Sequence, residues 1–216
     1  MAGLGVYPGS FSPPTIAHLA IAEAARRQAD LRRIDLVVSR VALAKNEIDR
    51  PTFEDRITVL ETVTNGRPWL KVVVSDAQLI ADIAVGYDAV IVGADKWAQI
   101  IDPVWYGQSE TARDAAVARL PNVLVAPRPP FSPSPGPHVE LLSVVPQFAA
   151  VSSTAARSGR RQWMAPEAAA FDAKTGAWSD PDRYARWLAA QAGPRRDRRP
   201  RGRGATLEDV LDDAGE

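Results

Sequence analysis

No cysteine occurs among the 216 residues, which excludes disulfides and thiolate metal sites and fits a cytoplasmic setting. Net charge is also missing: 26 Lys and Arg balance 26 Asp and Glu, so the overall field does not draw the chain to nucleic acid. No apolar run approaches the ~20 residues of a membrane span, and no basic segment followed by an apolar one opens the chain. Neither a membrane partner nor a secretory leader is therefore expected. Histidine occurs only twice, and His138 lies in a proline-rich stretch where it reads as a solvated loop residue. What is present, 46% hydrophobic and 24% charged residues, is ordinary for a globular domain with one sizeable core.

Apolar runs at Leu4–Tyr7, Ile34–Val38, Leu70–Val74, Ala89–Val92 and Asn122–Ala126 read as strands. Helical patterns at Ile16–Gln28, Thr52–Thr64, Asp76–Ala84 and Glu110–Ala118 alternate with them. Continuously apolar strands separated by helices predict an α/β fold: a doubly wound, Rossmann-like parallel sheet with helices on both faces. Such sheets bind ligands at the carboxyl ends of their strands, where the strand order reverses.

Residues 127–138 (PRPPFSPSPGPH) cannot be helix or central strand and read as an extended surface loop or a lid. A short strand at Glu140–Val145 is expected to close the sheet. Helices at Ala168–Phe171 and Asp182–Ala192 form a helical C-terminal extension, the second led by Ser179-Asp180-Pro181. Composition breaks at Gly193, so we expect one domain over residues 1–192. Residues 193–216, basic and then acidic, are expected to be a disordered charged tail.

Three stretches carry candidate chemistry. In Gly5-Val6-Tyr7-Pro8-Gly9-Ser10-Phe11-Ser12-Pro13-Pro14-Thr15-Ile16-Ala17-His18 a strand runs through a Gly/Pro loop into a helix. Thr15 and His18 share a face of its first turn, where free amides and the positive dipole end suit phosphate. The same residues also read as a strand-to-helix turn with a capping Thr and a core His. Val151-Ser152-Ser153-Thr154-Ala155-Ala156-Arg157 offers hydroxyls, helix amides and a cation on one face, or a plain cap with a solvated Arg. Val90-Ile91-Val92-Gly93-Ala94-Asp95-Lys96-Trp97 ends a strand with a glycine that permits close approach. Its Asp95 is either a ribose acceptor or a helix cap. Lys45, after the second strand, reads as a phosphate neutraliser or a solvated loop residue. Trp97 and Trp105 read as stacking platforms or as core.

The first stretch resembles the (H/T)xGH signature of the nucleotidyltransferase superfamily, with Ser12 where Asp is usual and Ala17 in place of the Gly before the His. The second resembles the ISSTxxR motif that those proteins carry near the end of the domain. The GADKW segment resembles the strand-end GxD of nicotinate-mononucleotide adenylyltransferases, whereas the Thr form of the first loop resembles phosphopantetheine adenylyltransferase. The resemblance spans roughly residues 1–167. It implies transfer of a nucleotidyl group, most closely adenylyl from ATP to nicotinate mononucleotide, with loss of pyrophosphate. Mg²⁺ would be held through the triphosphate, with no metal site made of protein ligands. His18, Thr15, Lys45 and Arg157 would be catalytic. Gly9, Ser10, Phe11, Gly93, Asp95, Ser152, Ser153 and Thr154 would bind the nucleotide, and Trp97 and Trp105 the acceptor. The partners implied are a nucleoside triphosphate and a small phosphate-bearing acceptor, without nucleic acid; a homo-oligomer is compatible. Because of Ser12 and Ala17, a catalytically impaired nucleotide-binding or regulatory paralogue stays open, as does adenylyl or cytidylyl transfer to another phosphate acceptor.

Overall fold

The computed structural model describes residues 2–40 and 50–192, so Lys45 and the charged tail at 193–216 lie outside the described residues. The elements in chain order are β1 (Gly3–Pro8), α1 (Ile16–Gln28), β2 (Leu31–Ser39), α2 (Phe53–Thr64), β3 (Leu70–Ser75), α3 (Ile80–Ile83) and β4 (Ala89–Gly93). They continue with α4 (Ala94–Ile100), α5 (Glu110–Val117), β5 (Asn122–Ala126), β6 (Val139–Leu141), α6 (Ser153–Arg157), α7 (Pro166–Thr175) and α8 (Pro181–Gln191). The six strands form one parallel sheet in the order β3-β2-β1-β4-β5-β6. The chain winds outward from β1 to β3, returns to place β4 beside β1, and winds the other way. The reversal lies between β1 and β4, and the loops after these two strands leave from its carboxyl end.

Side-chain alternation along the strands builds two cores. Tyr7, Ile34, Leu36, Ile91 and Leu124 pack with Ala22 and Ala25 of α1 and Leu60 of α2 on one face. Val6, Val37, Val90, Val92 and Val125 pack with Ala94, Trp97 and Ile100 of α4 on the other. A third cluster joins Val59 and Val63 of α2 to Ala156, Met164, Ala168, Trp178 and Tyr184, fixing the C-terminal helices onto the sheet's helical layer. No helix among the described residues is long and apolar enough to cross a membrane.

Several boundaries differ from expectation, each for a local reason. Asp76–Ala84 is helical only over Ile80–Ile83. The Ser75 hydroxyl accepts from the Ala77 N–H (3.1 Å) and the Ser39 hydroxyl donates to the Ala77 carbonyl (2.8 Å), holding that residue outside the helix. The closing strand spans Val139–Leu141 rather than Glu140–Val145; Val144 N–H turns back to the Leu142 carbonyl (3.1 Å) and a 3₁₀ turn begins at Pro146. Helix α7 is longer than its apolar core suggests, running from Pro166 at its first turn to Gly176 at φ 77°, the left-handed cap that ends it. Helix α4 begins directly at the end of β4, with Gly93 as its N-cap.

Asp35, 2% exposed within β2, is held by Arg33 (Nε–Oδ1 2.9 Å) and accepts from the Tyr87 hydroxyl (2.8 Å). Burial first, and this hydrogen bond second, push the Tyr87 pKa up to about 12. The folded state thus favours the neutral phenol: its contribution to stability is complete below pH 10.0, the ordinary value, and is lost as pH rises towards about 12. Denaturant unfolding of the wild type and Tyr87→Phe at intervals from pH 9 to 12, roughly spanning that window, should show a stability gap that narrows with rising pH. A constant gap would remove Tyr87 ionisation as its source.

Candidate active site

The loop between β1 and α1 contains Pro13 and Pro14, which, like Pro8 at the end of β1, have no N–H to bond neighbouring backbone. Its carbonyls are instead met from elsewhere in the fold. Arg56 Nη1 donates to Ser10 O (3.4 Å), Arg157 Nη1 to Ser12 O, the Ser153 hydroxyl to Pro13 O (2.8 Å), and Ala165 N–H to Pro14 O (2.9 Å). Gly9 N–H donates to Val37 O on β2 (3.0 Å). Phe11 sits at φ 43°, an uncommon conformation for a non-glycine residue, and is 1% exposed. Its ring meets Tyr7 edge-on at 5.5 Å and His18 at 5.1 Å. A Cβ on Gly9 would stand 3.0 Å from that ring, so glycine gives Phe11 its place.

Thr15 caps α1. Its hydroxyl accepts from His18 N–H (3.4 Å), and the His18 side chain reaches back in a reciprocal capping box. The Thr15 backbone N–H lies 2.9 Å from His18 Nδ1. A backbone amide can only donate, so Nδ1 accepts and the neutral ring carries its proton on Nε2. The Thr15 hydroxyl is also 2.9 Å from Nδ1. Thr15 is 1% exposed, so it orients the imidazole rather than presenting a hydroxyl to a ligand.

The second stretch does meet the first, although its hydroxyls are engaged. Ser152 caps α6 by accepting from Ala155 N–H (3.1 Å), Ser153 binds the Pro13 carbonyl, and Thr154 Oγ1 accepts from Arg157 Nη2 (3.3 Å). Arg157 thus bridges its own helix and the Ser12 carbonyl, and desolvation lowers its pKa from the ordinary value. Beneath them, Arg56 is 8% exposed; burial lowers its pKa, with Glu54 opposing.

At the end of β4, the Asp95 carboxylate folds back over Gly93, where an added Cβ would lie 2.6 Å from its Oδ1. Asp95 lies inside the first turn of α4, not at its cap. It pairs with Arg128 (3.4 Å), whose Nη2 donates to Val151 O (2.9 Å). Arg128 therefore ties the β4 end to the start of the Ser-Ser-Thr stretch. Burial raises the Tyr7 pKa, with Arg128 opposing and Asp95 adding to the rise, which places that hydroxyl within the field of the same pair. Arg128 was not among the residues singled out from the sequence. Its signal was an arginine in the first residues after a central strand, at the carboxyl edge of the sheet.

Trp97 is 8% exposed and packs in the core beneath β4, the second of its two readings. Trp105 is 41% exposed, on a 3₁₀ turn at Pro103–Tyr106. Among the described residues no group of three or more His, Cys, Asp or Glu could hold a metal ion.

A family model described as cytidylyltransferase-like matches residues 6–158, the span from β1 to the end of α6. Among solved structures the chain is similar to Plasmodium falciparum nicotinic acid mononucleotide adenylyltransferase complexed with APC, at 15% identity and a TM-score of 0.56. The match covers 81% of this chain and 96% of that one. At that identity the likeness is one of fold. No curated protein matches the sequence.

Thr15→Val keeps the shape and the backbone N–H that sets the His18 tautomer, and removes only the hydroxyl cap. It should lower unfolding free energy by about 1 kcal/mol in urea titrations. It should also leave the imidazole signals of His18 in the Nε2-protonated pattern by ¹⁵N NMR; a switch to the Nδ1-protonated pattern would show that the amide does not set the tautomer.

Proposed function

The chain belongs to the cytidylyltransferase-like family, and we propose that it transfers an adenylyl group from ATP to nicotinate mononucleotide, releasing pyrophosphate. The observation that carries this reading is the His18 tautomer. With Nδ1 accepting from the Thr15 amide, the ring offers an Nε2–H donor at the head of α1. The reaction needs no protein nucleophile, because the acceptor phosphate brings its own anionic oxygen. That oxygen bonds to the α-phosphorus as the bond to the α,β-bridging oxygen breaks, and pyrophosphate departs with the electron pair. His18 Nε2–H donates to the α-phosphate and the bridging oxygen, where charge accumulates. Arg157, fixed by Ser12 O and Thr154, faces the β- and γ-phosphates with the amides of the Ser152–Thr154 turn. Lys45, outside the described residues, neutralises acceptor charge.

Gly9, Ser10 and Phe11 line the nucleotide on the β1 side and Gly93 and Asp95 on the β4 side. Asp95 takes the ribose hydroxyls while Arg128 steadies its carboxylate. The exposed Trp105 ring stacks on the acceptor base. Donors at the loop are amides, hydroxyls, guanidinium groups and an imidazole, a set suited to anionic oxygens rather than to a cation. Magnesium fits such a site when carried on the triphosphate by its oxygens and water, where it supplies charge neutralisation. The choice of acceptor rests on the resemblance of SSTAAR and GADKW to nicotinate-mononucleotide adenylyltransferases and on the fold shared with the Plasmodium enzyme.

Pyrophosphate release with Mg²⁺ is the test, with ATP and CTP offered against nicotinate mononucleotide, nicotinamide mononucleotide and phosphopantetheine. ATP with nicotinate mononucleotide should give the highest kcat/KM. His18→Ala should lower kcat about 10²- to 10³-fold, the cost of one lost transition-state donor. Chelation of Mg²⁺ should stop turnover and its return restore it. Full activity of His18→Ala would sink the assigned role. Silence across the panel with ATP still bound by calorimetry would move the protein to a nucleotide-binding paralogue.

A further inference from the structure

Ser12 stands where the resembled motif carries Asp, and its environment shows what has taken the carboxylate's place. The side chain is 2% exposed, and its hydroxyl oxygen accepts from the indole N–H of Trp178 (Nε1–Oγ 3.1 Å), a residue 166 positions away. Trp178 is itself 5% exposed and tightly fixed. Its ring packs edge-on against Phe171 at 6.0 Å, and its backbone N–H donates to Asp172 Oδ1 (2.8 Å). Asp172, 1% exposed, also accepts from Ser179 N–H (3.0 Å) and the Ser179 hydroxyl (2.7 Å), and pairs with Arg161 (3.4 Å). The turn between α7 and α8 is thus a rigid mount for one outward-reaching indole donor.

That donor ends at the residue between the two functional arms of the loop. The carbonyl of Ser12 receives Arg157, and Phe11, immediately before it, holds positive φ with its ring against His18. We propose that Trp178 is a positioning residue: by bonding Ser12 it holds the loop so that His18 and Arg157 keep their mutual placement. Ser12 and Trp178 are then a matched pair that replaces the usual carboxylate, not a lesion in the motif. In its kinetic arm this rests on the nucleotidyl-transfer reading; in its spectroscopic arm it does not.

The test uses the full chain with Trp178→Phe, which keeps an aromatic ring and removes the donor, and Ser12→Ala, which removes the acceptor. Because the chain has two histidines, ¹⁵N NMR of the imidazoles reports His18 directly, with His138 as internal reference. Both variants should shift the His18 signals and leave His138 in place. Each should lower kcat about tenfold or more while KM for both substrates stays within about twofold, as a displaced catalytic group does. The double variant should be little worse than either single one, since each alone removes the same bond. Trp187→Phe is the structural control: that ring packs on the same Phe171 (5.6 Å). It should lower the melting temperature without moving His18.

Should Trp178→Phe fail to fold, Ser12→Ala alone carries the test. Unchanged His18 signals and unchanged kcat in Ser12→Ala would overturn the proposal. So would a Trp187→Phe variant that moves His18 as far as Trp178→Phe does. Shifted His18 signals in the two variants, together with a wild type that releases no pyrophosphate, would overturn the proposed reaction and leave the positioning role standing.

Discussion

A loop that cannot bond itself governs this structure. Pro8 at the end of β1 and two prolines in the connection to α1 remove donors where the chain must stay close to the carboxyl edge of the sheet, and prolines also stop it from coiling into a longer helix. Left alone, the exposed carbonyls would be satisfied by water and the loop would wander. Here Ser10, Ser12, Pro13 and Pro14 each receive a donor from a different part of the chain: α2, the end of α6, its first residue, and the start of α7. Buried backbone acceptors are costly to leave unmet, so these four bonds depend on the elements that supply them being in place. The C-terminal third of the chain is for that reason part of the site, although it lies outside the strand-helix alternation that builds the sheet.

The same arrangement settles charge. Two of the four donors are guanidinium groups, and burial lowers the pKa of both Arg56 and Arg157. Neither is balanced by a carboxylate within ion-pair distance among the described residues. Cations drawn partly out of water beside a loop are an unfavourable arrangement in isolation and a favourable one when polyanionic phosphates arrive. At the end of β4, Asp95 and Arg128 form an ion pair.

The sheet was legible in the sequence because parallel strands buried on both faces are continuously apolar. The β5 run Asn122–Ala126 and the α1 run Ile16–Gln28 came through without a boundary error. Where side chains overrode the local pattern, the reading slipped: Ser39 and Ser75 shorten α3, and Gly93 lets α4 start with no intervening loop. Within the site, His18 and Arg157 could be named from spacing, but their partners could not. The hydroxyls of Ser152, Ser153 and Thr154 looked like ligand contacts because hydroxyls at a helix start suit both a phosphate and a cap. Only the fold shows that cap, Pro13 and Arg157 have engaged them. Arg128 and Trp178 were hidden for a different reason. Each acts on a residue far away in sequence, Asp95 or Ser12, and no periodicity records such a pair.

Two residues of the first motif depart from its usual form, and both are enclosed by the fold. Ala17 lies inside α1 and is 4% exposed, so its methyl is covered by the protein's own core and is not offered to a ligand. Ser12 is equally enclosed, and an ionised carboxylate at a 2% exposed position would need more than one indole donor to offset its desolvation. A neutral hydroxyl needs no such compensation. The tryptophan and the serine therefore suit each other as the usual aspartate would not, while His18 keeps its capping box and Arg157 its grip on the loop. Phe11 holds its positive φ with its ring against His18. Four external bonds and one buried indole hold that backbone conformation in place.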